Sequence, residues 1–151
     1  MHDIRKVIAD TSVLIAFEKL ELLHLLCSLY EQILLTSSVY TEYSSEMQSC
    51  FTAVKAPLGL SKLLEEKVGL GCGESESIAL AYTSGKTILV DDLKARKTAK
   101  KLGCRMSGTI GVLHRMQRQG LISSAYEEMS KLKNMGFRVS ITLMDRLKIS
   151  F

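Results

Sequence analysis

Four groups of carboxylates stand where they can act together: Asp10, Glu42, Glu74 with Glu76, and Asp91 with Asp92. Clustered negative oxygens repel one another unless a cation neutralises them. An oxygen-only donor set favours Mg²⁺ or Mn²⁺. Ions of that kind generate a hydroxide nucleophile from water and steady the charge that builds on a phosphoryl group. Asp10, Glu42, Glu74 and the Asp91-Asp92 pair are the candidate acids for holding such an ion. Each acid also has a plain structural reading. Asp10 can be a helix cap, Glu42 an exposed helix residue, Glu74 a complement to a helix dipole. An Asp-Asp pair after a strand is ordinary turn chemistry. Glu76, two residues from Glu74, points away from it on a helix and reads as peripheral or structural.

The bases are distributed unevenly. Residues 1–92 hold 13 acidic and 7 basic side chains, whereas residues 93–151 hold 3 acidic and 13 basic. No acid occurs between Leu93 and Tyr126, a stretch carrying Lys94, Arg96, Lys97, Lys100, Lys101, Arg105, Arg115 and Arg118. A solvated helix face is the bland explanation. Yet the run begins directly after Asp91-Asp92, and a basic surface beside an acidic cluster suits a metal-dependent nuclease, with bases holding the phosphate backbone. Arg96, four residues after Asp92, can steady that carboxylate, touch phosphate or form an exposed salt bridge. His24 and His114 lie in apolar-patterned helices and read as packing or surface residues.

The elements that must position these acids follow from periodicity. Lys6–Asp10 reads as a short buried strand ending in an acid, with Thr11 or Ser12 capping the helix after it. The leucine spacing of Leu20–Tyr30 predicts a second helix. Gln32–Thr36 reads as a strand, and Ser37-Ser38 open a helix through about Ala53. A looser region with a short helix near Leu60–Lys67 follows. Glu74–Ser84 reads as a helix stopped by Gly85, and Thr87–Val90 as a third strand ending at Asp91-Asp92. A basic helix over Lys94–Leu102 comes next, and Cys104–Met106 is a candidate fourth strand. A helix starting at Ser107 or Thr109 ends before Gly120. Ser124 and Glu127 form a capping box for the last helix, ending at Gly136. The apolar tail Phe137–Phe151 should dock on the core or a partner. Short apolar strands alternating with helices argue an α/β sandwich around a mostly parallel sheet. Such sheets place ligands beyond the carboxyl ends of their strands, where Asp10 and Asp91-Asp92 fall.

Composition bounds the chain. Its 151 residues, 46% of them hydrophobic, with a mean hydropathy of +0.13, suffice for a single domain spanning 1–151. No uncharged apolar run approaches the ~18 residues a membrane span requires. The opening MHDIRKVIADTS lacks the apolar run of a signal peptide, so a cytoplasmic protein without membrane contact is expected. Cys27, Cys50, Cys72 and Cys104 form no CxxC pair, so zinc is unsupported and buried, reduced thiols are expected.

The runs VIADTSVLIA, VYTEYSSE, GCGESESIALAYTSGKTILVDDLKARKTAKKLG and SGTIGVLHRMQRQGLI resemble the PIN domain. The likeness is closest to small prokaryotic PIN-like proteins ending with a GTxGVL-type helix. It covers nearly the whole chain. DTSVLI alone is weak, whereas GESESIALA joined to LVDDLKAR and SGTIGVL is far more specific. The resemblance implies a three-layer α/β/α sandwich, a Mg²⁺- or Mn²⁺-dependent endoribonuclease, and often a homodimer. Many relatives are toxins of toxin–antitoxin pairs, which implies a cognate antitoxin as partner. By position the family acids fall on Asp10, Glu42, Glu74 and Asp92, with Asp91 the lesser choice for the fourth. Glu74 stands where many PIN domains carry Asp. Ser12 matches the small hydroxyl residue after the first acid.

In this reading Lys94, Arg96, Lys97 and Lys100 hold single-stranded RNA. Thr109 faces the site or caps its helix. Common PIN domains often carry a further acid a few residues on, where this chain has the basic stretch Leu93–Lys97. That departure sets a second reading beside the first, a PIN-like scaffold that binds RNA or a protein partner without cutting. A receiver-like phosphoacceptor domain needs an Asp after a middle strand and a Lys after a late one, and the spacing fits poorly.

Overall fold

The computed structural model describes residues 5–43, 46–139 and 144–147. Five strands carry the architecture: β1 (Lys6–Ala9), β2 (Gln32–Thr36), β3 (Phe51–Val54), β4 (Thr87–Leu89) and β5 (Met106–Ser107). They form one sheet in the order β3-β2-β1-β4-β5, with every pairing parallel. Among the described residues these helices join or follow them: α1 (Thr11–Lys19), α2 (Leu26–Leu29), α3 (Ser37–Glu42), α4 (Leu58–Val68), α5 (Cys72–Ser84), α6 (Leu93–Lys101), α7 (Thr109–Arg118) and α8 (Ala125–Asn134), with residues 144–147 of the tail also helical.

Strand alternation builds the layers. Val7 and Ala9 of β1 face one core with Val13, Leu14 and Phe17 of α1 and Val112, Leu113 and Met116 of α7. Ile8 faces the opposite core with Leu64 of α4, Ile78 of α5, and Ala95 and Ala99 of α6. Side chains two apart share a face of a strand, so one apolar run feeds both layers. The result is an α/β/α sandwich. Among the described residues no helix is long and apolar enough to cross a membrane.

Three expectations need correction. The helix opening at Ser37 ends at Glu42, and Phe51–Val54, expected as its last turn, is strand β3. Four consecutive β2–β3 partners, Ile33 with Phe51 through Thr36 with Val54, place that segment in the sheet. The Leu20–Tyr30 segment is broken, not continuous: Glu21 takes a positive φ of 59°, and a 3-10 turn at Leu23–Leu25 precedes α2. Cys27 and Cys50 are joined as a disulfide, so the expectation of four reduced thiols fails, and with it the cysteine argument for a reducing compartment. Cys72, expected buried, is exposed.

The described part of the tail docks on the molecule itself. Met144 and Leu147 are buried in the core beneath α1 and α7, and Phe137 and Val139 pack against it. Residues 140–143 and 148–151 of that expected docking segment lie outside the described residues.

Candidate metal and nucleic-acid site

Sheet topology gathers the acids. Strand order reverses between β1, from which β2 and β3 lead one way, and β4, from which β5 leads the other. Doubly wound sheets bind ligands at the carboxyl ends of the strands flanking such a switch. Asp10 follows β1, and Asp91-Asp92 follow β4. The Asp10 amide donates to the Leu89 carbonyl at 3.0 Å, which pins Asp10 beside the end of β4.

Asp10 is a buried acid, 4% exposed, at the N-cap of α1. Burial pushes its carboxyl above the usual range, the Ser12 hydroxyl and the amides of Thr11 and Ser12 pull it back, and Glu42 pushes further up. The Ser12 hydroxyl donates to Asp10 Oδ2 at 3.0 Å. Glu42 ends α3, and its Oε2 accepts from the Thr11 hydroxyl at 2.8 Å. Its carboxylate lies across Gly73, where an added Cβ would stand 3.1 Å from Oε2. The missing side chain is what lets α3 approach the start of α5 so closely.

Glu74 lies in the first turn of α5 and reaches back to the Gly71 amide at 3.3 Å, half of a capping box. Burial pushes its carboxyl up first, and then Asp10 and Asp92 do, with a smaller push from Glu42. One carboxylate therefore feels three others that come from β1, α3 and the end of β4. Asp92 caps α6 by accepting from the Ala95 amide at 3.0 Å.

Asp91 is used differently. Its Oδ1 accepts from the Thr109 amide at 2.8 Å, and its Oδ2 from the Thr109 hydroxyl at 2.5 Å. This ties the end of β4 to the first turn of α7. Thr109 is buried and serves that clamp. An added Cβ at Gly108 would stand 2.6 Å from Asp91 Oδ1, so the clamp also needs the glycine. Asp91→Ala is expected to cost about 1–2 kcal/mol, the usual value of a helix-start bond to a charged acceptor. Chemical denaturation checks this, and an unchanged midpoint would refute the clamp.

The other expected residues take these places. Arg96 Nη1 donates to the Val90 carbonyl at 2.7 Å, so this guanidinium braces the strand end and not Asp92. Lys94 Nζ lies 3.5 Å from the Gly69 carbonyl. Lys97 and Lys100 are exposed on α6, and Ser12 is exposed beside Asp10. Glu76 accepts from the Ser38 amide at 2.9 Å and the Ser38 hydroxyl at 2.7 Å, a structural role at the start of α3. Read from the sequence, Thr11 is only a candidate helix cap. Its position directly after Asp10 was the one signal that its hydroxyl would hold another acid.

Among the described residues no three His, Cys, Asp or Glu side chains already form a cage for an ion. The donor chemistry still fits a hard divalent cation: the groups are carboxylates, and the charge of Glu74 is disfavoured by burial and by Asp10, Asp92 and Glu42. Glu42 and Asp92 each have one carboxylate oxygen held, by the Thr11 hydroxyl and the Ala95 amide.

The molecule is a parallel α/β/α sandwich with carboxylates at the switch point of its sheet, and its family gives it a nuclease-type fold. The family described as DUF3368: PIN domain matches residues 6–150, so the chain belongs to the PIN-domain family. No curated protein matches it.

Proposed function

We propose that this protein is a Mg²⁺- or Mn²⁺-dependent endoribonuclease that hydrolyses single-stranded RNA to 5′-phosphate and 3′-hydroxyl ends. The observation that carries the reading is Glu74, whose carboxyl is raised first by burial and then by the nearby charges of Asp10, Asp92 and Glu42. Four carboxylates from separate elements come within electrostatic reach at one sheet edge. Asp10, Glu42, Glu74 and Asp92 would hold the cation, which when bound supplies Lewis-acid polarisation of the phosphoryl group and activates water. Ser12 and Thr11 orient the carboxylates of Asp10 and Glu42. The exposed Lys97 and Lys100 of α6, which begins at Asp92, would engage the RNA backbone beside the acids. A cognate antitoxin and a homodimer remain part of the proposal on family grounds. Leu20, Leu23, Leu26, Met144 and Leu147 turn into the protomer's own core and are not available to a dimer face.

One observation favours the second reading, a scaffold that binds without cutting. The segment after Asp92 supplies no further acid, and Arg96 within it is engaged by the Val90 carbonyl. Cleavage of single-stranded RNA in Mn²⁺ decides between them. The wild-type chain should cut, and Asp10→Asn should lose at least about 10²-fold, the scale of losing one stabiliser of transition-state charge. RNA binding without cleavage would select the scaffold. Equal cutting by both proteins would reject the assigned acids.

A further inference from the structure

A second polar site lies on the α1/α7 face of the sheet, away from the acids. A cavity of about 360 Å³ opens there between β1, β4, β5 and α7. Arg105 and Arg115 line it, together with Tyr30, Thr87 and Ser107. Val7 supplies apolar wall, and Met106 borders the cavity while packing against the opposite core. Val7 lies three residues before Asp10 on an extended strand, which puts the floor about 10 Å from that acid.

Among the described residues the cationic groups in this cavity have no counter-charge. No acid lines it, and among the described residues neither guanidinium forms an ion pair. Arg105 Nη2 donates to the Gly85 carbonyl at 2.5 Å. Arg115 stacks its guanidinium 5.7 Å from the Tyr30 ring centre and donates through Nη2 to the Tyr30 hydroxyl. That contact leaves the Tyr30 proton free to be given elsewhere. Arg115 Nε is buried and has no hydrogen-bond partner among the described residues. A buried donor on a permanently charged group is costly to leave unmade, so it marks a position where an acceptor belongs.

We propose that the cavity between Arg105 and Arg115 binds a phosphate ester. Two guanidiniums offer fork-shaped donors that match phosphate oxygens. Hydroxyls of Tyr30, Thr87 and Ser107 add neutral donors around them. The volume exceeds that of a bare anion and lies in the range of small-molecule sites, and the apolar wall suits the group that carries the phosphate. The distance from Asp10 means that a phosphate held here is not the one cut at the acidic edge. The inference stands whether or not the acids catalyse hydrolysis.

Calorimetric titration of the metal-free chain tests it. Adenosine 5′-monophosphate should bind, and adenosine should not. Arg105→Gln and Arg115→Lys should each weaken binding roughly tenfold to hundredfold, the scale for losing a hydrogen bond to a charged group. Asp10→Asn should bind like the wild type. Arg105 is exposed, so its variant keeps the test valid if the Arg115 variant folds poorly. Competition by an RNA without terminal phosphate would place a backbone phosphate of a bound strand here. Its failure to compete would place a free or terminal phosphate. Absence of nucleotide binding at millimolar concentration, or equal binding by both arginine variants and the wild type, would overturn the proposal.

Discussion

Asp10→Asn is expected to raise the melting temperature of the metal-free protein and to remove its response to Mn²⁺. Asp10 is buried, burial disfavours its charge, and Glu42 adds repulsion that Ser12 and two amides only partly offset. Removing that charge while keeping the shape should stabilise the fold by roughly 0.5–2 kcal/mol, as relief of a strained functional site commonly does. For a chain of this size each kcal/mol moves the midpoint by about 2–4 °C. The asparagine amide can donate to the Ser12 oxygen, so the local bond survives with its direction reversed.

Mn²⁺ should then invert the order. A cation that binds only the native state stabilises it by about 2.7 kcal/mol at a hundredfold excess over its dissociation constant. The wild type gains this and the variant does not, so the two melting curves cross as Mn²⁺ is added. The pH dependence carries the same sign. The native carboxyl holds its proton more tightly than the unfolded one, so the metal-free wild type loses stability as pH rises from the ordinary carboxyl range through the raised native value. That slope should flatten in the variant. An equal Mn²⁺ shift in both proteins would remove Asp10 from the cation site. A lower metal-free midpoint for Asp10→Asn would show that its charge stabilises the fold.

How far the chain could be read without coordinates depends on the range of the interaction involved. Lys6–Asp10, Gln32–Thr36 and Thr87–Val90 are apolar runs bounded by polar residues, and all three sit in the sheet as expected. Gly85 was legible because a left-handed helix stop favours glycine, and its φ is 72°. Phe51–Val54 was not. Four residues carry no periodicity that separates strand from helix end, and their pairing with Ile33–Thr36 is a tertiary choice.

The acids divide in the same way. That Asp10 and Asp91-Asp92 stand at strand ends on one edge of the sheet was legible from the strand and helix order alone. The division of labour between Asp91 and Asp92 was not, because it depends on Thr109, 18 residues away. The stack of Arg115 on Tyr30, 85 residues apart, had no local signature at all.

Opening the Cys27–Cys50 bridge is expected to cost about 3 kcal/mol, the chain-entropy value for a loop of this length. The bonded pair is separated by 23 positions and ties α2 to the residue before β3. At about 2–4 °C per kcal/mol, the midpoint should fall by roughly 6–12 °C in dithiothreitol or in a Cys27→Ser, Cys50→Ser double variant. Thiol counting in unreduced, denatured protein should find two groups, Cys72 and Cys104. Four would show that the bridge does not form, and an unchanged midpoint on reduction would show that it does not stabilise.

The damage should also be local. β3 is an edge strand paired only with β2, and the Ile33 amide donates to the Cys50 carbonyl at 2.8 Å just beside the bridge. Amides of Phe51–Val54 should therefore exchange faster on reduction while those of β1 and β4 keep their protection. Glu42 ends the helix between β2 and β3, whereas Asp10 and Asp92 are anchored on the far side of β2. Reduction should thus weaken cation binding through Glu42 alone, less than Asp10→Asn does.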